Sequence, residues 1–126
     1  MSSARILAVD DSATILEMIK AILTAGGYEV LTAADGAEAL DVARSESPDL
    51  ILLDVMLPKL DGYRVCRLLK FDQKYKAIPI IMLTAKTEEQ SMATGIRTGA
   101  NQYLTKPVEP ERLLAAVAEE LERVPR

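Results

Sequence analysis

The chain alternates, five times over, between short apolar runs rich in branched residues and longer segments whose apolar residues recur at helical spacing. That repeat constrains the fold more than any other feature. The runs Arg5–Val9, Glu29–Ala33, Asp49–Leu53, Pro79–Leu83 and Gln102–Leu104 have the length and composition of strands. Between the first two, Ile15, Met18, Ile19, Ile22 and Leu23 form the stripe of an amphipathic helix, which Gly26-Gly27 closes. Asp35 followed three residues later by Glu38 predicts a capped second helix. Asp61 predicts the cap of a third, and Thr87 with Gln90 predicts another helix start after the fourth strand. A last helix is predicted after Pro110, with Leu113, Leu114, Val117 and Leu121 on one side. Strands separated by helices need right-handed crossovers, which make the sheet parallel. The run LILL before Asp54 is what a central strand covered on both faces requires. The predicted class is therefore α/β, a doubly wound (βα)5 unit. A chain of 126 residues that is 49% hydrophobic suffices for one such domain, 1–126.

Composition removes several classes of function. The 15 basic and 19 acidic side chains give a formal charge of −4, which argues against a general nucleic-acid binder and for no direct nucleic-acid contact. A single cysteine, Cys66, forms no internal disulfide, and with no histidine there is no Cys/His metal cluster. The N-terminal MSSAR lacks the apolar core of a secretion signal, and no apolar run approaches the roughly 18 residues that span a bilayer. The expectation is a cytoplasmic protein with no membrane partner.

In open parallel sheets, ligands bind beyond the carboxyl ends of the strands, where strand order reverses. Asp10 and Asp11 end the first predicted strand, Asp54 the third and Thr84 the fourth, while Lys106 follows the fifth. No comparable cluster occupies the other edge. Each of these residues has a plain reading alone: an Asp-Asp pair in a solvated turn or capping a helix, a strand-end hydroxyl, a surface lysine. Their convergence changes that reading. Two carboxylates about 4 Å apart at an effective dielectric near 20 repel by about 4 kcal/mol, so positive charge must join them. Lys106 supplies one charge. Oxygen-only ligands point to a hard divalent cation, Mg²⁺ with Mn²⁺ as a substitute, and such ions commonly also bind phosphate oxygens. Asp54 is then placed to attack phosphorus and form an aspartyl phosphate, with Mg²⁺, Lys106 and the Thr84 hydroxyl offsetting charge on the phosphoryl oxygens.

Asp10-Asp11, Asp54 in LLDVMLPKLDG, Thr84 in LTA and Lys106-Pro107 together resemble the receiver domain of bacterial two-component response regulators, over about Arg5 to Glu122. The likeness is to a chemotaxis-type single-domain receiver. It implies the flavodoxin-like strand order 2-1-3-4-5. It implies that Asp54 takes a phosphoryl group from a histidine kinase or phosphotransfer protein. Asp11, Asp54 and the Met56 carbonyl would bind Mg²⁺, with Asp10 helping through water. Thr84 and Tyr103 would reorient on phosphorylation, and Lys106-Pro107 would be a cis peptide. Met56 and Lys86, two places after Asp54 and Thr84, would flank the path of the hydrolytic water and tune the lifetime of the phosphoryl group. The output surface would be the helix opened at Thr87, the fifth strand and the last helix, in a monomer or a phosphorylation-dependent dimer. Such a protein is not an enzyme beyond its own phosphorylation and dephosphorylation.

Two rivals use similar parts. A haloacid-dehalogenase-like phosphatase also forms an aspartyl phosphate, but its acid stands two positions after the nucleophile, where this chain has Met56. A flavodoxin-like flavin carrier needs a neutral phosphate-binding loop after the first strand, where Asp10 and Asp11 would repel the phosphate.

Overall fold

The computed structural model describes residues 3–57, 59–84 and 99–123. Its five strands are β1 Arg5–Val9, β2 Glu29–Ala33, β3 Leu50–Asp54, β4 Ile80–Thr84 and β5 Gln102–Thr105. The helices among the described residues are α1 Ala13–Ala25, α2 Gly36–Glu46, α3 Gly62–Lys70 and α4 Pro110–Arg123. The helix expected to open at Thr87 lies outside the described residues. All strand pairs are parallel, in the order β2-β1-β3-β4-β5.

Side chains alternate between the two faces of the sheet, and helices cover both. Leu7, Val9, Ile51, Leu53, Ile80 and Met82 face α2 and α3, where Leu40, Val65, Cys66 and Leu69 close the core. Ile6, Ala8, Leu50, Leu52, Ile81 and Leu83 face α1 and α4, packed on Ile19, Leu23, Leu113 and Val117. This explains why β3 and β4 read as unbroken apolar runs: every residue of each is buried.

The chain reverses direction across the sheet because β2 lies on one side of β1 and β3 on the other. The β1–β3 boundary is therefore the switch point at which loops diverge and leave a cleft. Local chemistry fixes the helix starts around it. Ser12 caps α1 by accepting from Ile15 N at 3.3 Å, and Asp61 caps α3 by accepting from Arg64 N at 3.0 Å. Asp35 accepts from Glu38 N at 2.8 Å, but the return bond of Glu38 reaches Ala34 N at 2.6 Å rather than the cap's own N–H. Gly36 permits one close approach here, since a Cβ would lie 1.8 Å from the Leu60 carbonyl oxygen.

Candidate functional site

The two aspartates that follow β1 diverge in environment. Asp10 is 1% exposed, while Asp11 stands in solvent. The Asp10 main-chain N–H extends the ladder to Ala33 O at 3.2 Å. Its Oδ1 accepts from Ser12 N at 2.9 Å and its Oδ2 from Lys106 Nζ at 3.0 Å. Ser12 was not among the expected site residues. As a cap it lends its hydroxyl to α1 and its N–H to Asp10.

Asp54 is the last residue of β3 and is also buried. Its Oδ1 lies 3.2 Å from Lys106 Nζ and 3.4 Å from Met56 N. Lys106 thus sits between Asp10 and Asp54 as a shared counter-ion. The Lys106-Pro107 peptide is cis, as the resemblance implies, and Lys106 N donates to Thr84 O at 2.8 Å. Burial pushes the Asp54 carboxyl up, Lys106 pulls it down and Asp10 pushes it up again; the net direction is upward. Burial would lower the Lys106 ammonium, but its hydrogen bond to Asp10 and the charge of Asp54 outweigh that, so it stays charged.

Gly62 is a second residue that the sequence reading misses. A Cβ at this position would lie 2.2 Å from Asp54 O and 2.9 Å from Val55 Cα, and its N–H donates to Val55 O at 3.0 Å. The start of α3 therefore presses on the strand end that carries Asp54. The glycine in the LDG stretch was the available signal.

Thr84 ends β4 beside Asp54, and its buried Oγ1 has no hydrogen-bond partner among the described residues. A buried hydroxyl left unpaired costs about 1–3 kcal/mol. Thr84 and Met82 share one face of β4, and Tyr103 pairs with Met82 in register, so Thr84 and Tyr103 lie on adjacent strands facing the same side. Tyr103 is half-buried; burial, with Tyr63 close by, pushes its phenol well above the ordinary tyrosine value. It stays protonated and keeps a hydroxyl to donate. Met56 is largely exposed at 71%, and Lys86 lies outside the described residues.

One oxygen each of Asp10, Asp11 and Asp54 falls within a 4.8 Å cluster. Three carboxylates against the one Lys106 ammonium leave uncompensated negative charge in an all-oxygen donor set, which suits a hard divalent cation.

Comparison with known proteins agrees with this geometry. Residues 6–118 match the response regulator receiver domain, and the chain belongs to that family. It is 49% identical over 119 residues to the alkaline phosphatase synthesis transcriptional regulatory protein PhoP of Bacillus subtilis, covering 94% of this chain and 49% of that protein. The chain thus spans about half the length of such curated relatives. Among solved structures, a putative response regulator from Chloroflexus aurantiacus superposes with a TM-score of 0.93 at 40% identity, covering 96% of this chain and 99% of that one. The receiver domain of the Pseudomonas aeruginosa sensor histidine kinase PA1611, solved with a magnesium ion coordinated in its active-site cleft, gives 0.88 at 32% identity, covering 95% and 98%.

The chain is therefore a signalling receiver domain of two-component systems, and its acidic pocket is of the kind that serves phosphorylation and Mg²⁺ binding. The phosphatase and flavin-carrier readings fall away. The expected absence of direct nucleic-acid contact finds no support, because a relative of twice the length is named a transcriptional regulator. Among the described residues, no helix is long and apolar enough to cross a membrane.

Proposed function

We propose that Asp54 is the phosphoryl acceptor, in a reaction with a phosphohistidine of a sensor kinase or phosphotransfer protein. The observation that carries this reading is the Lys106 ammonium, 3.0 Å from Asp10 and 3.2 Å from Asp54, beside the Thr84 hydroxyl, which has no partner among the described residues. An Asp54 oxygen forms the new O–P bond as the donor's N–P bond breaks, and the imidazole nitrogen keeps the electron pair. Lys106 then follows the charge from the carboxylate to the phosphoryl oxygens, and the Thr84 hydroxyl donates to one of them. Asp10, Asp11 and Asp54, with the Met56 carbonyl, would hold Mg²⁺ or Mn²⁺, which supplies positive charge to the same oxygens when bound. An apolar groove of about 480 Å³ lies alongside Lys106, lined by Ile15, Met18, Ile22, Pro107 and Val108. It fits the apolar side of a donor helix next to the reacting carboxylate. The protein modifies only itself, and it does so as a stand-alone receiver or as the receiver part of a longer regulator.

The test uses a small acyl phosphate and Mg²⁺. The chain should gain one phosphoryl group by intact mass, mapped to Asp54 by fragmentation, with no steady release of phosphate from simple esters. A phosphoryl group on any other residue would refute the assignment.

The signal passes outward through the sheet. When Thr84 turns toward the phosphoryl oxygens it frees space on the face it shares with Tyr103, whose ring turns inward and alters the β5–α4 surface for a partner or a second copy. Phosphorylation shifts this balance only by its differential interaction with the two states. In NMR spectra, a phosphoryl mimic should move the Tyr103 ring signals in the wild type and leave them in place in Thr84→Ala.

Lifetime depends on water reaching phosphorus opposite Asp54. Met56 at the cleft mouth is a weak acceptor and a poor base, and Lys86 carries donors only, so neither orients water. Met56→Asn should speed single-turnover loss of the phosphoryl group by about tenfold, equivalent to about 1.4 kcal/mol of barrier. An unchanged rate would show that this side chain does not set the lifetime.

A further inference from the structure

Helix α3 has two faces, and the proposed phosphoryl chemistry uses neither side chain set of the outer one. Val65, Cys66 and Leu69 are buried against the sheet. On the outside, Arg64, Arg67, Leu68 and Phe71 follow the i, i+3, i+4, i+7 spacing that places them in one stripe. Leu68 is 43% exposed and Phe71 74%. Arg44, in the last turn of α2, stands across from this stripe, and together they line a shallow groove of about 890 Å³.

The charges in this groove are unevenly satisfied. Among the described residues, no carboxylate forms an ion pair with Arg44, Arg64 or Arg67, and the Arg67 guanidinium lies 5.9 Å from the centre of the Phe71 ring. The two carboxylates that also line the groove each accept from a main-chain N–H: Asp61 from Arg64 N at 3.0 Å and Asp72 from Lys74 N at 2.9 Å. A chain with a net charge of −4 thus carries a groove lined by three arginines against two aspartates, with Leu68 and Phe71 exposed among them. Arginine and aromatic side chains clustered in this way have the composition of interface hot spots.

We propose that the α2–α3 groove docks an acidic segment of a protein partner, with an aliphatic or aromatic side chain of that segment seated on Leu68 and Phe71. Its carboxylates take the planar forks of Arg44, Arg64 and Arg67. Charge complementarity selects an acidic occupant. The exposed Leu68 and Phe71 select a peptide over nucleic acid, whose continuous phosphate charge the net-acidic chain repels at long range. The groove lies on the sheet face covered by α2 and α3, opposite the α1–α4 groove beside Lys106, so this partner and a phosphoryl donor bind without competing.

Fluorescence anisotropy with the full chain tests this, using labelled peptides of equal length that alternate leucine or phenylalanine with glutamate, lysine or serine, alongside a single-stranded oligonucleotide. The glutamate peptides should bind best, and their affinity should fall as salt rises. Arg64→Glu with Arg67→Glu, and separately Phe71→Ala, should each weaken binding by about tenfold or more. Phosphoryl uptake by Asp54 should be unchanged in all variants. Glutamate at position 64 falls three residues after the Asp61 cap, where a negative charge suits the helix start, and Arg44→Ala provides a second probe on a different helix. Equal binding of the serine peptides, affinity that survives charge reversal, or tighter binding of the oligonucleotide through the same arginines would each overturn the proposal. Because phosphoryl uptake is read separately, failure of this docking surface and failure of the Asp54 assignment are distinct results.

Discussion

Adding Mg²⁺ should raise the melting temperature of the wild type by about 10 °C and leave that of Asp11→Ala unmoved. The expectation follows from linkage: an ion that binds only the folded state at about 100 times its dissociation constant adds about 2.7 kcal/mol, and a domain of this size gains roughly 4 °C per kcal/mol. Asp11 is the exposed member of the three-carboxylate cluster, with no role in the core, so its removal deletes a ligand without opening a cavity. Without the ion, the variant should melt at or slightly above the wild type, since one of three mutually repelling charges has gone. Calorimetry with and without Mg²⁺ checks both statements. An equal Mg²⁺ response in the two proteins would show that the ion binds elsewhere.

The cluster is legible in the sequence because its members fall at strand ends, where apolar runs stop abruptly at charged or hydroxyl residues. The first two strands keep their expected bounds, whereas β3 and β4 shift by one residue and β5 extends by one. Asp54 and Thr84, expected just past their strands, are their last paired residues, with Asp54 opposite Leu83 and Thr84 opposite Thr105. Apolar pattern marks where burial favours hydrocarbon, whereas hydrogen bonding continues through a buried polar residue whose side chain the site needs. The strand order rested on resemblance, since periodicity reports faces and not neighbours. Exposed polar residues do mark the edges, at Glu29 and Thr32 in β2 and at Thr105 in β5.

The last helix shows a different limit. Its expected stripe is present, with Leu113 and Val117 buried and Leu114 and Leu121 packed partly buried on the same core, but Ala116 and Glu120 are buried as well. Glu120 occupies an inward position because its carboxylate accepts from Gln102 Nε2 at 2.6 Å and Arg123 Nη1 at 3.2 Å. A buried carboxylate is intelligible only once its partners are known, and one of them lies on another element. The cradle around Asp54 was hidden for the same reason: the close approach of Gly62 to the Asp54 carbonyl depends on how α3 packs on β3.

Lys106→Met should produce the larger loss, in both stability and phosphoryl uptake. Methionine retains an unbranched apolar stem but removes the ammonium that touches Asp10 and Asp54. Withdrawing one partner from a buried ion pair costs about 3–5 kcal/mol. The Lys106 side chain is 29% exposed, so screening places the loss near the lower end, about 3 kcal/mol at neutral pH without Mg²⁺. The pH dependence has a definite sign. Burial already raises the Asp54 carboxyl and the Lys106 charge opposes that rise, so the variant carries a still higher folded value. A carboxyl that binds its proton more tightly when folded favours folding at low pH, and that contribution is lost as pH rises through the folded value. The deficit relative to wild type should therefore shrink on acidification through the Asp54 titration, and shrink also when Mg²⁺ supplies positive charge at neutral pH. Uptake should recover in neither case, because the ammonium acts at the phosphoryl oxygens. Loss of one such donor costs about 10²–10³-fold in rate. Denaturant titrations across pH, with and without Mg²⁺, together with phosphorylation rates from a small acyl phosphate, separate the two effects. A variant as stable as wild type at neutral pH without Mg²⁺, and phosphorylated at the same rate, would show that Lys106 is a surface charge and that Asp10 and Asp54 tolerate each other unaided.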